Sequence, residues 1–296
     1  MAVVVFGGTG MLGSMCVEIL RQADYQVLAT FRDMKRCPPP PTPGVSWQLF
    51  DAFNPDAVHE ILQGHKWAIN AIGITKPHIQ EESAKDVFVA NHVNVVFPHL
   101  LADAACKTGT HILQIATDCV FGNHCEEIPE STPHDAPDVY GKTKSLGEVN
   151  LPSVSHLRTS VIGPERGRKH FLLEWLLSQE KAFGFTDHLW NGMTTLQFAK
   201  ICVGIIRSGI TTLPRRQHIV PADEVDKYEL LARIAHSFDH EIEITPKPSG
   251  KPVSRILSTE RPDVNEALWL AAGYSEPPTI LEMLEELAAF TAANGR

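Results

Sequence analysis

A chain of 296 residues is long enough to bury a large core, as one big α/β domain or as a larger and a smaller one. Its 43% hydrophobic and 21% charged content is that of an ordinary soluble globular protein, and no apolar run reaches the length of a membrane span. The formal net charge of −9 argues against a broad nucleic-acid or anionic-membrane surface, yet a few local Arg and Lys residues are enough to hold a small anion.

The opening MAVVVFGG reads as a buried strand (2–7) running into a glycine turn. It has neither a basic n-region nor a cleavage site, so it is not read as a signal peptide. A helix follows over GMLGSMCVEILRQA, then strands over 25–31 and 45–51. NPDAVHEILQG (54–64) predicts a helix capped by Asn54 with Pro55 at its first position. Strands over 66–74 and 111–121 flank one long helical segment from about residue 82 to 108. CPPPPTPG (37–44) is too rich in proline for regular structure and is assigned to a loop. Strands alternating with helices imply right-handed βαβ units, hence an α/β fold with a Rossmann-type, doubly wound parallel sheet.

From about residue 157 the pattern changes. SHLRTSVIG gives a sixth strand, and helices are predicted over 171–179, 194–209, 227–238 and 278–293. The expected division is a nucleotide-binding domain over 1–158, with 194–222 returning to it. A smaller substrate-binding portion then takes 159–193 and 223–296. Six cysteines (16, 37, 106, 119, 125 and 202) contain no C-x-x-C pair, so no zinc or disulfide framework is expected. Free thiols fit a reducing cytoplasm. No H-E-x-x-H site occurs, and no metal is expected. Glu282, Glu285 and Glu286 read as a solvated acidic helix face.

VVVFGGTGMLGS places Gly7, Gly10 and Gly13 in a G-x-x-G-x-x-G turn between a buried strand and a helix. Such a turn lets backbone approach a pyrophosphate seated on the positive end of the helix, with Thr9, Met11 and Leu12 beside it. The end of the second strand selects between cofactors. Arg32 suits the 2′-phosphate of NADP, whereas Asp33, one register on, would suit the ribose of NAD; NADP is preferred. Asp51, after the third strand, is placed to accept from the adenine amino group, with Ala52 next to it.

In DVYGKTKSLGE, Tyr140 and Lys144 stand four apart and share a helix face. Alone, that pair would as readily be a solvated surface. Carbonyl reduction, however, needs a proton donor at the oxygen, and a neighbouring ammonium favours a phenolate. Thr117, at the end of the fifth strand in IATDCVFG, supplies a hydroxyl to hold the carbonyl oxygen.

The glycine turn, TDCVFG, the E..P..P..YGKTK..GE run and LRTSVIG together resemble the extended short-chain dehydrogenase/reductase family. Within it they resemble the dTDP-4-dehydrorhamnose reductase branch, which acts on nucleotide-activated sugars. The resemblance spans roughly residues 2 to 165 and is thinner beyond, where WNGMTTLQFAK, KYELL and RP still fit. It implies Thr117, Tyr140 and Lys144 as the catalytic set. It also implies that Asn91, in VANHVN, supports the lysine through water, and that Ala71, Ile72 and Gly73 line the nicotinamide side. A homodimer is the common assembly of the family.

Two departures fall near the expected sugar pocket. Cys119 stands where a tyrosine is frequent, and Val161 where some rhamnose-pathway reductases carry tryptophan. Cys119 is read as a small apolar filler rather than a reactive thiol. For the substrate, Lys76, Thr117, Asp118, Arg166, Trp190 and Arg261 are the candidates, with Asn191, Arg168, Lys169, Lys251 and Arg255 as further polar or cationic residues of that half.

The expected activity is NADPH-dependent reduction of the keto group of a nucleotide-linked deoxysugar, serving polysaccharide or glycoside biosynthesis. Dehydratase chemistry needs an acid–base pair beside the threonine, and Asp118-Cys119 does not supply one. An epimerase, which would consume no NADPH, stays open. So does a non-catalytic role, because the regulatory beta subunit of methionine adenosyltransferase resembles the same branch.

Overall fold

The computed structural model describes residues 2–33, 42–54, 56–124, 126–165, 171–209 and 213–294. Strand β1 (Ala2–Phe6) has four successive buried side chains, Val3 to Phe6, as expected for a strand covered on both faces. It is followed by α1 (Met11–Gln22), β2 (Gln26–Phe31), β3 (Val45–Leu49), α2 (Asp56–Leu62) and β4 (Trp67–Asn70). Next come α3 (Ala84–Asn91), α4 (Phe97–Thr108), β5 (His111–Ala116), α5 (Val139–Leu146) and β6 (Val154–Arg158). The remaining elements begin with β7 (Val161–Ile162), α6 (Leu172–Leu176), β8 (Lys181–Phe185), β9 (Leu189–Trp190), β10 (Met193–Thr194) and α7 (Thr195–Ser208). They end with β11 (Arg216–His218), β12 (Val225–Asp226), α8 (Lys227–Ser237), β13 (Glu243–Lys247), α9 (Pro262–Ala271) and α10 (Ile280–Ala293).

Seven of these strands form one parallel sheet in the order β11-β6-β5-β4-β1-β2-β3. The strand order reverses between β1 and β4, so a crevice opens at their carboxyl ends. Alternation along β1 divides the core. Val3 and Val5 pack with α1 and α7, while Val4 and Phe6 pack with α2 and α4, where Phe6, Phe50 and Phe97 meet edge-on or tilted. Each such side chain contributes roughly 1.5–3 kcal/mol of burial.

The segment expected as one helix over 82–108 is divided. A π turn (His92–Val96) separates α3 from α4, and Pro98 stands in the first turn of α4. Proline has no N–H for the carbonyl one turn back, that of Asn94. Gly147 packs there instead: a Cβ on it would lie 1.9 Å from the Asn94 carbonyl oxygen. The strand expected over 111–121 ends at Ala116 and turns into a 3-10 segment, Asp118–Val120, because Thr117 Oγ1 accepts from Cys119 N at 3.2 Å and caps it.

In the later half, α7 packs against α1, and β11 extends the sheet beside β6. The parallel ribbon of β8 and β13, and helix α9, are not evident in the sequence pattern. Glu130 ties the tail to the sheet, accepting from His218 N (2.9 Å), Thr259 Oγ1 (2.7 Å) and Glu260 N (2.8 Å). The acidic face on α10 is not simply solvated. Glu282 closes a capping box with Thr279, and Glu286 binds Lys200, Tyr274 and Gln197. Pro55, the greater part of the proline loop, Cys37 and Cys125 lie outside the described residues. Among those described, no helix is long and apolar enough to cross a membrane.

Candidate active site

The glycine turn is shaped by two close approaches. Gly7 has φ +79°, open to glycine and strained for other residues, and a Cβ on Gly13 would lie 2.1 Å from the Gly7 carbonyl oxygen. Gly7 N is anchored on Thr30 Oγ1 at 3.0 Å. Helix α1 therefore starts hard against the end of β1. It has no side-chain cap and no acidic residue in its first turn, so its leading N–H groups and positive dipole end face outward for an anion.

Helix α5 is placed just as tightly. Asp138 caps it by accepting from Gly141 N at 2.7 Å. A Cβ on Gly141 would lie 2.3 Å from the Cys119 carbonyl oxygen. That contact presses the first turn of α5, which carries Tyr140, onto the end of β5 that carries Thr117. Lys144, one turn later, donates from Nζ to the Ile115 carbonyl at 3.0 Å.

These elements enclose a cavity of about 510 Å³. Thr9, Gly10, Met11 and Leu12 line one end, with Arg32 beside them. Ala71, Ile72, Gly73 and Lys76 line the β4 side, and Thr117, Asp118, Tyr140 and Lys144 the opposite wall. Gly7 and Gly13 shape the turn without facing the space. Cys119 also lines it, together with Thr159, Ser160, Val161, Glu165 and Phe171. Of those last five, only Val161 was expected near the site; LRTSVIG was the available signal for Thr159 and Ser160, and Glu165 and Phe171 had none.

Several expected residues lie elsewhere. Asn91 is exposed and donates to the Val87 carbonyl of its own helix. The asparagine that reaches the site is Asn94, only 2% exposed. It brackets Ile74 through both backbone groups (2.9 Å each) and donates to Thr143 Oγ1 on α5 at 3.1 Å. Asp51 accepts from Phe53 N in a local turn, and Ala52 is buried with its carbonyl against His92; neither lines the cavity. Trp190 packs half-buried on the core, over Gly192. Asn191 spends its amide on both backbone groups of Leu257. Arg261 donates to the Arg216 carbonyl at 3.3 Å, near Glu130. Arg166, Arg168 and Lys169 lie outside the described residues.

Lys76 lines the cavity, and Arg255 approaches it through Cys119. Lys76 pairs with Asp138, the cap of α5, at 2.5 Å. Arg255 donates from Nε to the carbonyls of Phe121 and Gly122 (3.1 Å each) and leaves Nη1 4.0 Å from Cys119 Sγ.

Burial sets the protonation states. It pushes the Tyr140 phenol well above its ordinary value, with the Cys119 and Asp118 charges adding to it and a Thr117 hydrogen bond opposing. The phenol thus stands protonated, ready to donate. Burial lowers Lys144 to about 8, against the pull of Glu148. The expected depression of the tyrosine by the lysine is not a feature of this arrangement, in which the ammonium is turned to the Ile115 carbonyl. Burial and the Asp118 charge push the Cys119 thiol up to about 12, which makes it a poor nucleophile and fits the role of filler.

The model of the family described as RmlD substrate binding domain matches residues 1–286. The chain belongs to that family. Among curated relatives it is 27% identical over 147 residues to the spore coat polysaccharide biosynthesis protein SpsK of Bacillus subtilis, covering 49% of this chain and 46% of that one. The match therefore spans less than half of that relative's length. It is 23% identical over 272 residues to methionine adenosyltransferase 2 subunit beta of Danio rerio, covering 86% and 80%. Among solved structures, dTDP-4-dehydrorhamnose reductase of Bacillus anthracis in complex with NADP aligns with TM-score 0.75 at 19% identity, over 98% of this chain and 99% of that one. MoeE5 in complex with UDP-glucose and NAD aligns with TM-score 0.73 at 16% identity, over 100% of both. Both structures share the fold described above.

Proposed function

We propose that this protein reduces the keto group of a nucleotide-linked deoxysugar with NADPH, in the manner of a dTDP-4-dehydrorhamnose reductase. The observation that carries this reading is the convergence of Thr117, Tyr140 and Lys144 on one wall of a cavity whose far end is the glycine turn. A nicotinamide dinucleotide fits the residues present: the cradle that a Cβ at Gly13 would fill, and an uncapped helix start free of acidic side chains, suit a pyrophosphate. Ala71, Ile72 and Gly73 would flank the nicotinamide, and Lys144 would hold its ribose.

When bound, the reduced cofactor supplies the hydride. The chain's own residues do the rest. Thr117 holds the carbonyl oxygen, and Tyr140 transfers its phenolic proton to that oxygen as the carbon is reduced, giving an alcohol. The raised phenol pKa supports this direction, since the donor is protonated throughout the neutral range. Lys76, whose ammonium is at the cavity rim, is the proposed contact for the sugar nucleotide. Arg32 at the cavity edge supports NADP over NAD. A reducing cytoplasm, a homodimer and a role in polysaccharide synthesis complete the reading.

A second reading, a regulatory subunit that binds NADP and serves a partner enzyme, is favoured by the similarity to methionine adenosyltransferase 2 subunit beta over 86% of the chain. The deciding experiment follows NADPH absorbance against a panel of dTDP-, UDP-, GDP- and CDP-linked keto sugars. Consumption with one of them supports the reductase. No consumption with any, together with a co-purifying enzyme whose activity the protein changes, supports the regulator.

A further inference from the structure

Beside Lys144, and sharing Ile72, Ile115 and Ala116 with the main cavity, lies a second space of about 10 Å³, roughly what a single water requires. It is lined by Lys144, Asn94, Gln114, Glu148 and His156, among others. Most of their polar atoms are already engaged. Gln114 Oε1 accepts from Asn70, and its amide donates to the Ile115 carbonyl. Asn94 holds Ile74 and Thr143.

His156 is different. It is 1% exposed, and its Nε2 lies 2.9 Å from the Val149 carbonyl. A carbonyl only accepts, so Nε2 carries the hydrogen and Nδ1 presents a lone pair. Among the described residues Nδ1 has no hydrogen-bond partner. A buried acceptor without a partner costs about 1–3 kcal/mol unless something donates to it.

The lysine has the complementary surplus. An ammonium has three donors, and the Ile115 carbonyl takes one. Lys144 also lines the main cavity, which leaves one donor for that side. We propose that the small space is a single-water site, in which the water accepts from Lys144 Nζ and donates to His156 Nδ1, and that His156 is thereby a positioning residue for the lysine. The Glu148 carboxylate, in the same lining, takes the second water hydrogen. All three lysine donors are then accounted for, and the third is fixed toward the substrate side.

The titratable groups acting on the lysine are few. Glu148 follows it four residues on, just beyond the end of its helix, Tyr140 precedes it by one turn, Cys119 comes from the turn after β5, and His156 from β6. Burial keeps His156 neutral by dragging its pKa to about 4, so it serves as an acceptor throughout the neutral range. Without the bridge the ammonium loses a hydrogen-bond acceptor while staying buried, and its proton leaves at lower pH.

Two measurements test this, and only the second rests on the reading of Lys144 as the cofactor's ribose-binding cation. A crystal structure of the wild-type protein, at a resolution that shows ordered water, should place one water within hydrogen-bond distance of both Lys144 Nζ and His156 Nδ1. A space without water, or a water that bonds to only one of them, overturns the site. His156→Phe keeps the ring and removes the Nδ1 acceptor, which His156→Gln would not, since a glutamine amide oxygen also accepts. NADPH affinity measured by fluorescence from pH 6 to 10 should show the alkaline loss of binding moved down by about one unit in the variant, with affinity at pH 6 little changed. An unmoved midpoint overturns the positioning role. A variant that does not fold leaves the wild-type water to decide the question. Failure of the wild type to bind NADPH at any pH would count against the proposed function and not against the water site.

Discussion

Arg158 and Glu148 form a buried fork, with Arg158 Nη2 2.7 Å from Glu148 Oε2 and Nε 3.1 Å from Oε1. Their side chains are 0% and 3% exposed. Glu148 stands two residues beyond the end of α5, and Arg158 immediately precedes Thr159 and Ser160 in the cavity wall. Arg158 also donates to His218 at 2.5 Å and to His134 at 2.9 Å, and His218 is anchored on the Ser258 carbonyl. One guanidinium thus joins the segment after α5, the sheet edge and the tail. Removing the carboxylate would leave that cation buried and short of acceptors. Glu148→Ala should destabilise the fold by about 3–5 kcal/mol, read from urea unfolding, because it strips the carboxylate from Arg158 and from Arg216, 3.0 Å away, at once; a loss below about 1 kcal/mol would show that the acceptor nitrogens of His134 and His218 suffice for Arg158 without it.

The same cluster sets an acid limit. Burial, with the Arg158 charge added at His218, holds both His156 and His218 at about 4. The unfolded chain takes up these protons near 6.5, so between 6.5 and about 4 it binds more of them than the folded protein does. Stability therefore falls as pH drops through that window. Burial alone would raise Glu148, but Arg158 outweighs it and holds the carboxyl below its ordinary value. Its stabilisation is present above the unfolded value near 4.3 and is lost further down. Thermal unfolding followed from pH 7 to 4 should show a continuous decline; a flat profile to pH 5 would contradict it.

The two asparagines of VANHVN should behave differently. Asn94→Ala leaves the backbone of Ile74 without its buried partner, which costs about 1–3 kcal/mol, and it should also weaken NADPH binding by loosening the segment beside Gly73. Asn91→Ala, at an exposed position, should change stability by no more than about 0.5 kcal/mol. Parallel unfolding curves and NADPH titrations of both variants check the contrast.

Arg32 is the proposed reader of the 2′-phosphate. A charge-assisted hydrogen bond is worth about 1.5–3 kcal/mol, so Arg32→Ala should weaken NADPH binding by roughly 10- to 150-fold. NADH binding should hardly move. Equal losses for both cofactors, measured by titration under one salt condition, would show that Arg32 does not select between them.

Much of the sheet is legible in the sequence for a physical reason. Strands covered on both faces must be apolar at every position, so AVVVF and WAIN stand out as continuous runs. The ribbon of β8 and β13 is half exposed, and KAFGF and EITPK carry no comparable pattern. That Thr117, Tyr140 and Lys144 share a cavity with the glycine turn was legible because glycine, threonine, tyrosine and lysine keep fixed offsets. Its supporting asparagine was not, because a regular helix puts Asn91 and Asn94 on nearly one face. The π turn that begins after Asn91 and contains Asn94 is a backbone event beside Pro98. Arg255 was one of several tail cations, and only the fold shows that it reaches Cys119 while Arg261 turns to Arg216.

The central claim is that Tyr140 gives its proton to a carbonyl oxygen. Its most direct test compares the wild type with Tyr140→Phe, using NADPH absorbance for turnover of a nucleotide-linked keto sugar and fluorescence for NADPH binding. The variant should lose turnover by about 10²- to 10⁴-fold while binding NADPH close to the wild-type level. Undiminished turnover by Tyr140→Phe would contradict the assignment.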